Sequence, residues 1–353
     1  MMKNPLFVAA LSAALSTAAL AEPLCEKNLH ALPAARQAEL KAKSTKDGVT
    51  LDKILKSGVE NADSSIGCYA GDAESYTAFA PMFDGVIADY HHVAPDFRQT
   101  KDFDLSKLPS FSPAVAKNVA SSRVRVARSL ANYPFEASMT RADRLALEKE
   151  VLDAIAAAFK GTEFAGTYHS STKISPEERK DLIARHLMFK DSDQDKYLVS
   201  AGISSDWPVA RGSYVSADEK FQVWINEEDH LRVMYLEKGS DLKRAATQLF
   251  KALGLLESRL KFARSDKHGY LNSCPTNIGT AMRVSVHLKV PDTSEKELKR
   301  RCAPAGLAVR GTGGEHTDVV DDTYDISYKK RLGGSEAQLA TEFVNKLNAV
   351  FAD

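Results

Sequence analysis

Phe221-Gln222-Val223-Trp224-Ile225-Asn226-Glu227-Glu228-Asp229-His230-Leu231-Arg232-Val233-Met234-Tyr235 is the stretch that decides the fold class. Two runs rich in β-branched and aromatic residues flank five polar ones, so the stretch reads as an antiparallel hairpin with residues 226–230 at its tip. A tip on a rigid ribbon holds a side chain still, and this one carries three consecutive acids. Glu227 and Asp229 read as an ordinary solvated turn. Glu228 stands between them, on a turn projecting from the ribbon.

Outward from the hairpin, Arg123 and Arg125 alternate with Val124 and Val126, so in an extended segment both arginines share one face. Spacing alone would make that a solvated basic strand. Met282 to Val290 reads as a further strand carrying Arg283 and His287. Asp241 to about Leu260 forms a long amphipathic helix. Ser175-Pro176-Glu177-Glu178 is a capping box with proline at the first helical position, opening a helix to about Phe189. His186 near its end reads as a packed or surface histidine. Residues 311–322, glycine-rich and acidic, read as a mobile flap between two strands, and Ser335 caps a terminal helix from Glu336 to Phe351. Before residue 95 the chain reads helical. Its clearest helix runs from Asp72 through Tyr90, with Phe79, Met82, Phe83, Val86 and Ile87 on one face. Residues 95–113 look like a linker. There is no internal repeat and no low-complexity tract.

Lys+Arg 47 balances Asp+Glu 47, so no global field draws the chain to nucleic acid, and the arginines must act as a local cluster. After the first two dozen residues no stretch is long and apolar enough to span a bilayer, so the mature chain is expected to hold no integral membrane segment. Residues 1–21 differ. Lys3 precedes an apolar run from Leu6 to Leu20 that ends Ala19-Leu20-Ala21 before Glu22, as in a secretory signal peptide. The expected location is secreted, periplasmic or routed through the endoplasmic reticulum. An organellar presequence or an unprocessed cytoplasmic tail is the alternative. Cys25, Cys68, Cys274 and Cys302 show no metal spacing and are not read as a disulfide framework. A Cys25–Cys68 bridge in an oxidising compartment stays open.

No GxxxxGK[ST] loop and no HRD or DFG set is present. By themselves the arginines support only the binding of an anion. Three ordered motifs say more: Ser122-Arg123-Val124-Arg125 running to Ser129, the Glu227–Arg232 tip, and Cys274-Pro275-Thr276-Asn277 leading to Arg283. Arg310-Gly311-Thr312-Gly313-Gly314-Glu315-His316 completes the set. From about Leu51 to the C-terminus these motifs resemble the phosphagen (ATP:guanidino) kinase family, and within it the arginine kinases.

The resemblance implies an α+β fold with a small all-helical N-terminal domain, residues 22–110. It also implies a larger domain, residues 111–353, with an antiparallel sheet flanked by helices and a glutamine synthetase-like catalytic core. It implies transfer of the γ-phosphoryl group of MgATP to the guanidino group of L-arginine, a reaction that leaves the protein mainly positioning and charge neutralisation. ATP or ADP would meet Ser122, Arg123, Val124, Arg125, Val126, His186, Arg232, Arg283, Val284, Ser285, Val286, His287, Arg310, Gly311, Thr312, Gly313, Gly314 and Glu315. The five arginines would hold phosphates, and the two histidines would lie by the adenine. Magnesium would be held through phosphates and water, with no protein ligand set.

Glu228, Glu315 and Cys274 would be catalytic and would grip the guanidinium. Cys274 would act as a thiolate, provided its neighbours lower its pKa. Ser64, Ser65, Ile66, Gly67, Cys68 and Tyr69 would form the loop that reads the substrate's amino-acid end. Three positions depart from the family. Ser65 and Gly313 replace a common glycine and a common arginine. Ser205 replaces an arginine that ties to the acid matching Asp63, so that interdomain tie is expected to be missing. The family is usually cytosolic or mitochondrial, and a monomer is its default for arginine kinases, although dimers occur. The rivals are a taurocyamine, glycocyamine or other guanidino kinase, a protein-arginine kinase, and a non-catalytic secreted nucleotide- or arginine-binding protein.

Overall fold

The computed structural model describes residues 22–312 and 320–352. The leader read at residues 1–21, and Gly313, Gly314, Glu315 and His316 of the flap, lie outside the described residues. The chain begins with helices α1 (Leu24–His30), α2 (Ala34–Lys41) and α3 (Leu51–Glu60), the last capped by the Thr50 side chain on the Lys53 N–H. The single helix expected over residues 72–90 is in fact two, α4 (Ser75–Ala78) and α5 (Ala80–His91). Pro81 explains the break. It has no N–H for the Thr77 carbonyl and its ring crowds that carbonyl, yet a proline is welcome in a helix's first turn, where α5 places it. The predicted apolar face survives the break: Phe79, Met82, Phe83, Val86 and Ile87 are all buried in one core with Leu51, Ile54 and Tyr76. Within that core Cys25 and Cys68 are joined in a disulfide, with Cα atoms 6.0 Å apart, the pairing that the sequence left open.

A short helix α6 (Pro113–Ala116) leads into β1 (Val119–Arg128), then α7 (Arg141–Phe159), β2 (Gly166–Ser170), α8 (Pro176–Ala184), α9 (Lys196–Ala201) and β3 (Gly212–Ser216). The hairpin follows as β4 (Phe221–Ile225) and β5 (Leu231–Lys238), at the expected residues. After it come α10 (Leu242–Glu257), the small β6 (Arg264–Ser265) and β7 (Gly269–Tyr270), and β8 (Met282–Lys289). The chain closes with α11 (Glu295–Cys302), β9 (Leu307–Arg310), β10 (Thr323–Tyr328) and α12 (Glu336–Val350). α8 stops five residues before the expected Phe189, because His186 takes a left-handed backbone at φ 59°.

All but β6 and β7 form one antiparallel sheet in the order β2-β3-β4-β5-β1-β8-β10-β9. Its two faces differ because side chains alternate along each strand. One face buries Val124, Val126, Val223, Val233, Val284 and Val286 against Leu249, Leu253 and Leu256 of α10 and Phe343 of α12. The other face carries the arginines. No helix among the described residues is long and apolar enough to cross a membrane.

Candidate active site

The register of the sheet gathers the arginines. Arg125 stands directly opposite Met234 on β5 and Arg283 on β8, and Arg232 stands opposite Ala127 two residues along the same face. Arg123 faces Ser285, and Asp325 faces both His287 and Arg310. Like charges directly opposite one another are destabilising, so this face of the free protein is electrostatically unsatisfied. Arg283 donates to Asp325 at 2.8 Å. Arg123 reaches the Met234 sulfur at 2.8 Å and lies 5.9 Å from the Trp224 ring. The Arg125 guanidinium has no hydrogen-bond partner among the described residues. Burial, then the charges of Arg232, Arg123, Arg283 and Arg331, push its pKa well below the usual arginine range. An anion placed here relieves all of them.

At the open end of this face sits the hairpin tip, fixed from several sides. Asn226, at φ 53°, closes it by donating its N–H to the His230 carbonyl at 3.0 Å. Its side-chain amide reaches the carbonyls of Arg144 at 3.1 Å and Ala210 at 2.8 Å. His230 accepts from the Leu130 N–H at 2.9 Å, which leaves its other nitrogen to donate to the Pro134 carbonyl at 2.9 Å. Glu227 and Asp229 are not a solvated turn. Together with Glu228 they surround Arg232, at 2.6 Å, 3.3 Å and 2.5 Å respectively. Burial drives all three acids toward neutrality, and Arg232 opposes it. For Glu228 the cations win: Arg232, then Arg125 and Arg331, hold it below the ordinary carboxylate range. Asp229 loses that contest and rises to about 7, because burial and the neighbouring Glu228 outweigh its share of Arg232.

The helical domain positions the third group. Ala70 and Ser273 exchange hydrogen bonds at 2.7 and 2.8 Å, Tyr76 donates to the Asn272 carbonyl at 2.7 Å, and His91 meets the Pro275 carbonyl at 2.8 Å. Cys274 is held between these anchors, 3.1 Å from the Thr276 hydroxyl. Tyr69 is close enough to Cys274 and Glu228 to feel their charges, and burial raises its phenol well above the usual range. Opposed cations and acids, with a thiol and a phenol between them, suit a substrate pair of which one is polyanionic and the other cationic.

Comparison with known proteins identifies the arrangement. The family description ATP:guanido phosphotransferase, C-terminal catalytic domain, matches residues 146–352, and the N-terminal domain of the same family matches residues 35–88. The chain belongs to the ATP:guanido phosphotransferase family. It is 42% identical over 311 residues to the arginine kinase of Artemia franciscana, covering 86% of this chain and 85% of that protein. It is 40% identical over 318 residues to the arginine kinase of Anthopleura japonica, covering 88% of this chain but only 44% of that longer protein. Among solved structures it resembles a lombricine kinase, with a TM-score of 0.85 at 33% identity, over 93% of this chain and 90% of that one.

In this phosphotransferase the sheet brings Arg123, Arg125, Arg232, Arg283, Arg310, Ser285 and His287 to one face. His186 joins them, 6.5 Å from His287 ring to ring. Other expectations change. Val124, Val126, Val284 and Val286 point into the opposite core, and the Ser122 hydroxyl donates to the Gly239 carbonyl at 2.9 Å, so their side chains are not on the arginine face. Cys68 is spent in the disulfide and offers only its backbone. The Cys274 thiol is not lowered: burial, and next the charge of Glu228, push it up to about 12. The interdomain tie expected to be missing is present with different partners. Asp63 accepts from Lys196 at 2.6 Å and from the Tyr197 hydroxyl at 3.0 Å, with Asn61 donating to Ser200 at 2.9 Å beside them.

Two site residues went unread in the sequence. Arg331 donates to Asn277 at 2.7 Å, and Asn277 in turn donates to Asp229 at 2.8 Å, which links a further cation to the acid tip. In the sequence it ends a Lys329-Lys330-Arg331 run that looks like surface charge. Asp325 was one acid among several after the flap, and only strand pairing sets it beside Arg283.

The buried histidines give the enzyme an acid-sensitive fold. Burial, with some help from Arg331, lowers His91 to about 4, and burial lowers His230 to about 3. An unfolded histidine takes its proton near pH 6.5, so as the pH falls below that value the unfolded chain binds protons that the folded one refuses. Stability is therefore lost downward from about pH 6.5, by about 2 kcal/mol per histidine at pH 5. His91→Gln keeps an N–H for the Pro275 carbonyl and removes that residue's contribution. Guanidinium unfolding at pH 7 and pH 5 should show a drop smaller by about 2 kcal/mol in H91Q than in the wild type. Parallel drops would show that His91 is not held neutral.

Proposed function

We propose that this phosphotransferase moves the γ-phosphoryl group of MgATP reversibly to the guanidino group of L-arginine, giving ADP and phosphoarginine. The observation that carries the reading is the meeting of two opposed charge sets. Arg125, without an ion-pair partner among the described residues and surrounded by cations, faces a nucleotide's phosphates, while ionised Glu228 beside Cys274 faces a guanidinium. The nitrogen attacks the γ-phosphorus in line, so a P–N bond forms as the bond to the β-phosphate oxygen breaks. The proton leaving the guanidinium passes to a carboxylate, in which role Glu228 acts with Glu315. Magnesium, held through the nucleotide's phosphates and water, would neutralise charge on the transferred group. The acids on and beside the arginine face support this mode, since Glu227, Glu228 and Asp229 are engaged with Arg232 and Asp325 with Arg283.

Residues 22–110 serve guanidino recognition and residues 111–353 the nucleotide chemistry. In the loop from Ser64 to Tyr69 the N–H groups of Ser65 and Ile66 have no acceptor among the described residues and are not buried, which suits the carboxylate of an amino acid. The protein acts as a monomer and does not bind nucleic acid. The leader read at residues 1–21 directs it to an exported compartment, and the Cys25–Cys68 bridge supports that placement.

The deciding experiment compares arginine, taurocyamine, glycocyamine, lombricine and creatine as acceptors from MgATP. An acid-labile product with arginine far ahead confirms the reading. Preference for another guanidine keeps the mechanism and moves the substrate, a second reading favoured by the likeness to a lombricine kinase. Nucleotide binding with no transfer to any acceptor overturns it. Lys196→Met, which removes one donor to Asp63, is expected to raise KM for the guanidino substrate a few-fold, the modest effect of an exposed pair. KM for ATP should stay unchanged in the same assay. An equal rise in both constants would deny the clasp a part in substrate closure.

A further inference from the structure

The chain between α3 and α4 is strapped down by residues that precede α1's second turn. The Leu24 N–H donates to the Ser65 carbonyl at 3.1 Å and the Cys25 N–H to the Ile66 carbonyl at 2.9 Å. The Gly58 N–H takes the next carbonyl, that of Gly67, at 3.0 Å. Gly67 lies at φ +79° against Pro23, where an added Cβ would come within 2.5 Å of the Pro23 Cβ. The Cys25–Cys68 disulfide then fastens strap to loop.

A trans peptide unit is planar, with its C=O and N–H pointing in opposite directions. Holding the Ser65 carbonyl inward therefore aims the Ile66 N–H outward, while Cys68, whose peptide the Gly67 carbonyl fixes, is itself fully buried. Two backbone hydrogen bonds exchange readily with water, whereas a covalent bridge does not. We infer that the Cys25–Cys68 disulfide is a positioning element of the phosphotransferase: it fixes the peptide orientations of the Ser64–Tyr69 loop and so sets affinity for the guanidino substrate. The inference rests on the proposed reading that this loop receives the substrate's carboxylate.

Reduction by a dithiol such as dithiothreitol tests it. Two electrons and two protons pass from the dithiol to the bridge, giving two cysteine thiols and the cyclic disulfide of the reagent. Thiols titrated in denaturant should rise from two, Cys274 and Cys302, to four. The fully reduced enzyme is expected to show KM for arginine raised roughly ten-fold or more, with KM for ATP and ADP affinity unchanged, and reoxidation should restore it. The Cys25→Ser/Cys68→Ser variant should show the raised KM in both redox states, which separates the bridge from any modification of Cys274. If that variant does not fold, the reduced wild type, checked for retained ADP binding, carries the test. An active oxidised enzyme whose KM for arginine ignores four-thiol reduction overturns the inference alone. An oxidised enzyme that phosphorylates no guanidine overturns the kinase reading, and the inference with it.

Discussion

Glu228→Gln is expected to lower kcat by about 10²–10⁴ while leaving ADP affinity nearly unchanged. The substitution keeps the shape of the side chain and one acceptor oxygen, but it removes the charge that would hold a guanidinium and the oxygen that would take its proton. Arg232 keeps Glu227 at 2.6 Å and Asp229 at 3.3 Å, so the tip loses one of three acids and its anchors through Asn226 and His230 stay intact. Rapid-quench measurement of phosphoguanidine formation, set beside ADP titration, separates the two effects. A variant that turns over within a few-fold of the wild type would remove Glu228 from the chemistry. A variant that loses ADP affinity in proportion would make Glu228 a structural partner of Arg232.

Arg125→Met should act in opposite directions on activity and stability. Arg125 is crowded by Arg123, Arg232, Arg283 and Arg331, makes no ion pair among the described residues, and has only the longer-range attraction of Glu227 and Glu228 to offset them. Removing it relieves repulsion in the free protein, so the melting temperature should rise by roughly 2–4 °C. Removing a preorganised cation from where phosphate charge gathers should cut kcat/KM for ATP by roughly 10²–10³. Differential scanning calorimetry and steady-state kinetics on the same preparation decide it. A lower melting temperature with affinity retained would mean that Arg125 holds the sheet together and is not poised for an anion. Arg283 makes the contrast, because its loss strands Asp325 as a buried charge and should cost stability as well.

Much of this was legible before any coordinates. The alternation of Arg123 and Arg125 with Val124 and Val126 assigns opposite faces by strand geometry alone, and the hairpin from Phe221 to Tyr235 falls where its residue types place it. The caps of α8 and α12 at Ser175 and Ser335 were readable too, because a cap is satisfied by neighbours in the chain. What failed were inferences about environment. Glu227 and Asp229 looked like solvated turn acids, since nothing local reveals that Arg232 and Asn277 will meet them in a buried pocket. Cys274 was given a thiolate's role on the condition that its neighbours lower its pKa, and that condition is not met. Its burial comes from helices α4 and α5, nearly two hundred residues away, and burial raises a thiol.

The Asp63 contacts show the same division. The loss of an arginine at Ser205 was read as the loss of a tie, because a sequence position can be compared only with its counterpart. In the folded chain α9 packs against α3, and Lys196 and Tyr197 reach the same carboxylate from one turn of helix.

The sequence by itself determined the α+β class, the hairpin that carries Glu228, the single face shared by the strand arginines, and membership of a phosphotransferase family through ordered motifs. These follow from periodicity, turn chemistry and residue order, which act over a few neighbours. Only the tertiary structure decided that Arg125 faces Arg283 across a strand, that Arg331 joins the acid tip through Asn277, and that Cys25 closes on Cys68 behind the Ser64–Tyr69 loop. Those outcomes depend on strand register and domain packing, which bring distant residues within hydrogen-bonding or bonding reach, and desolvation there then sets which groups stay charged.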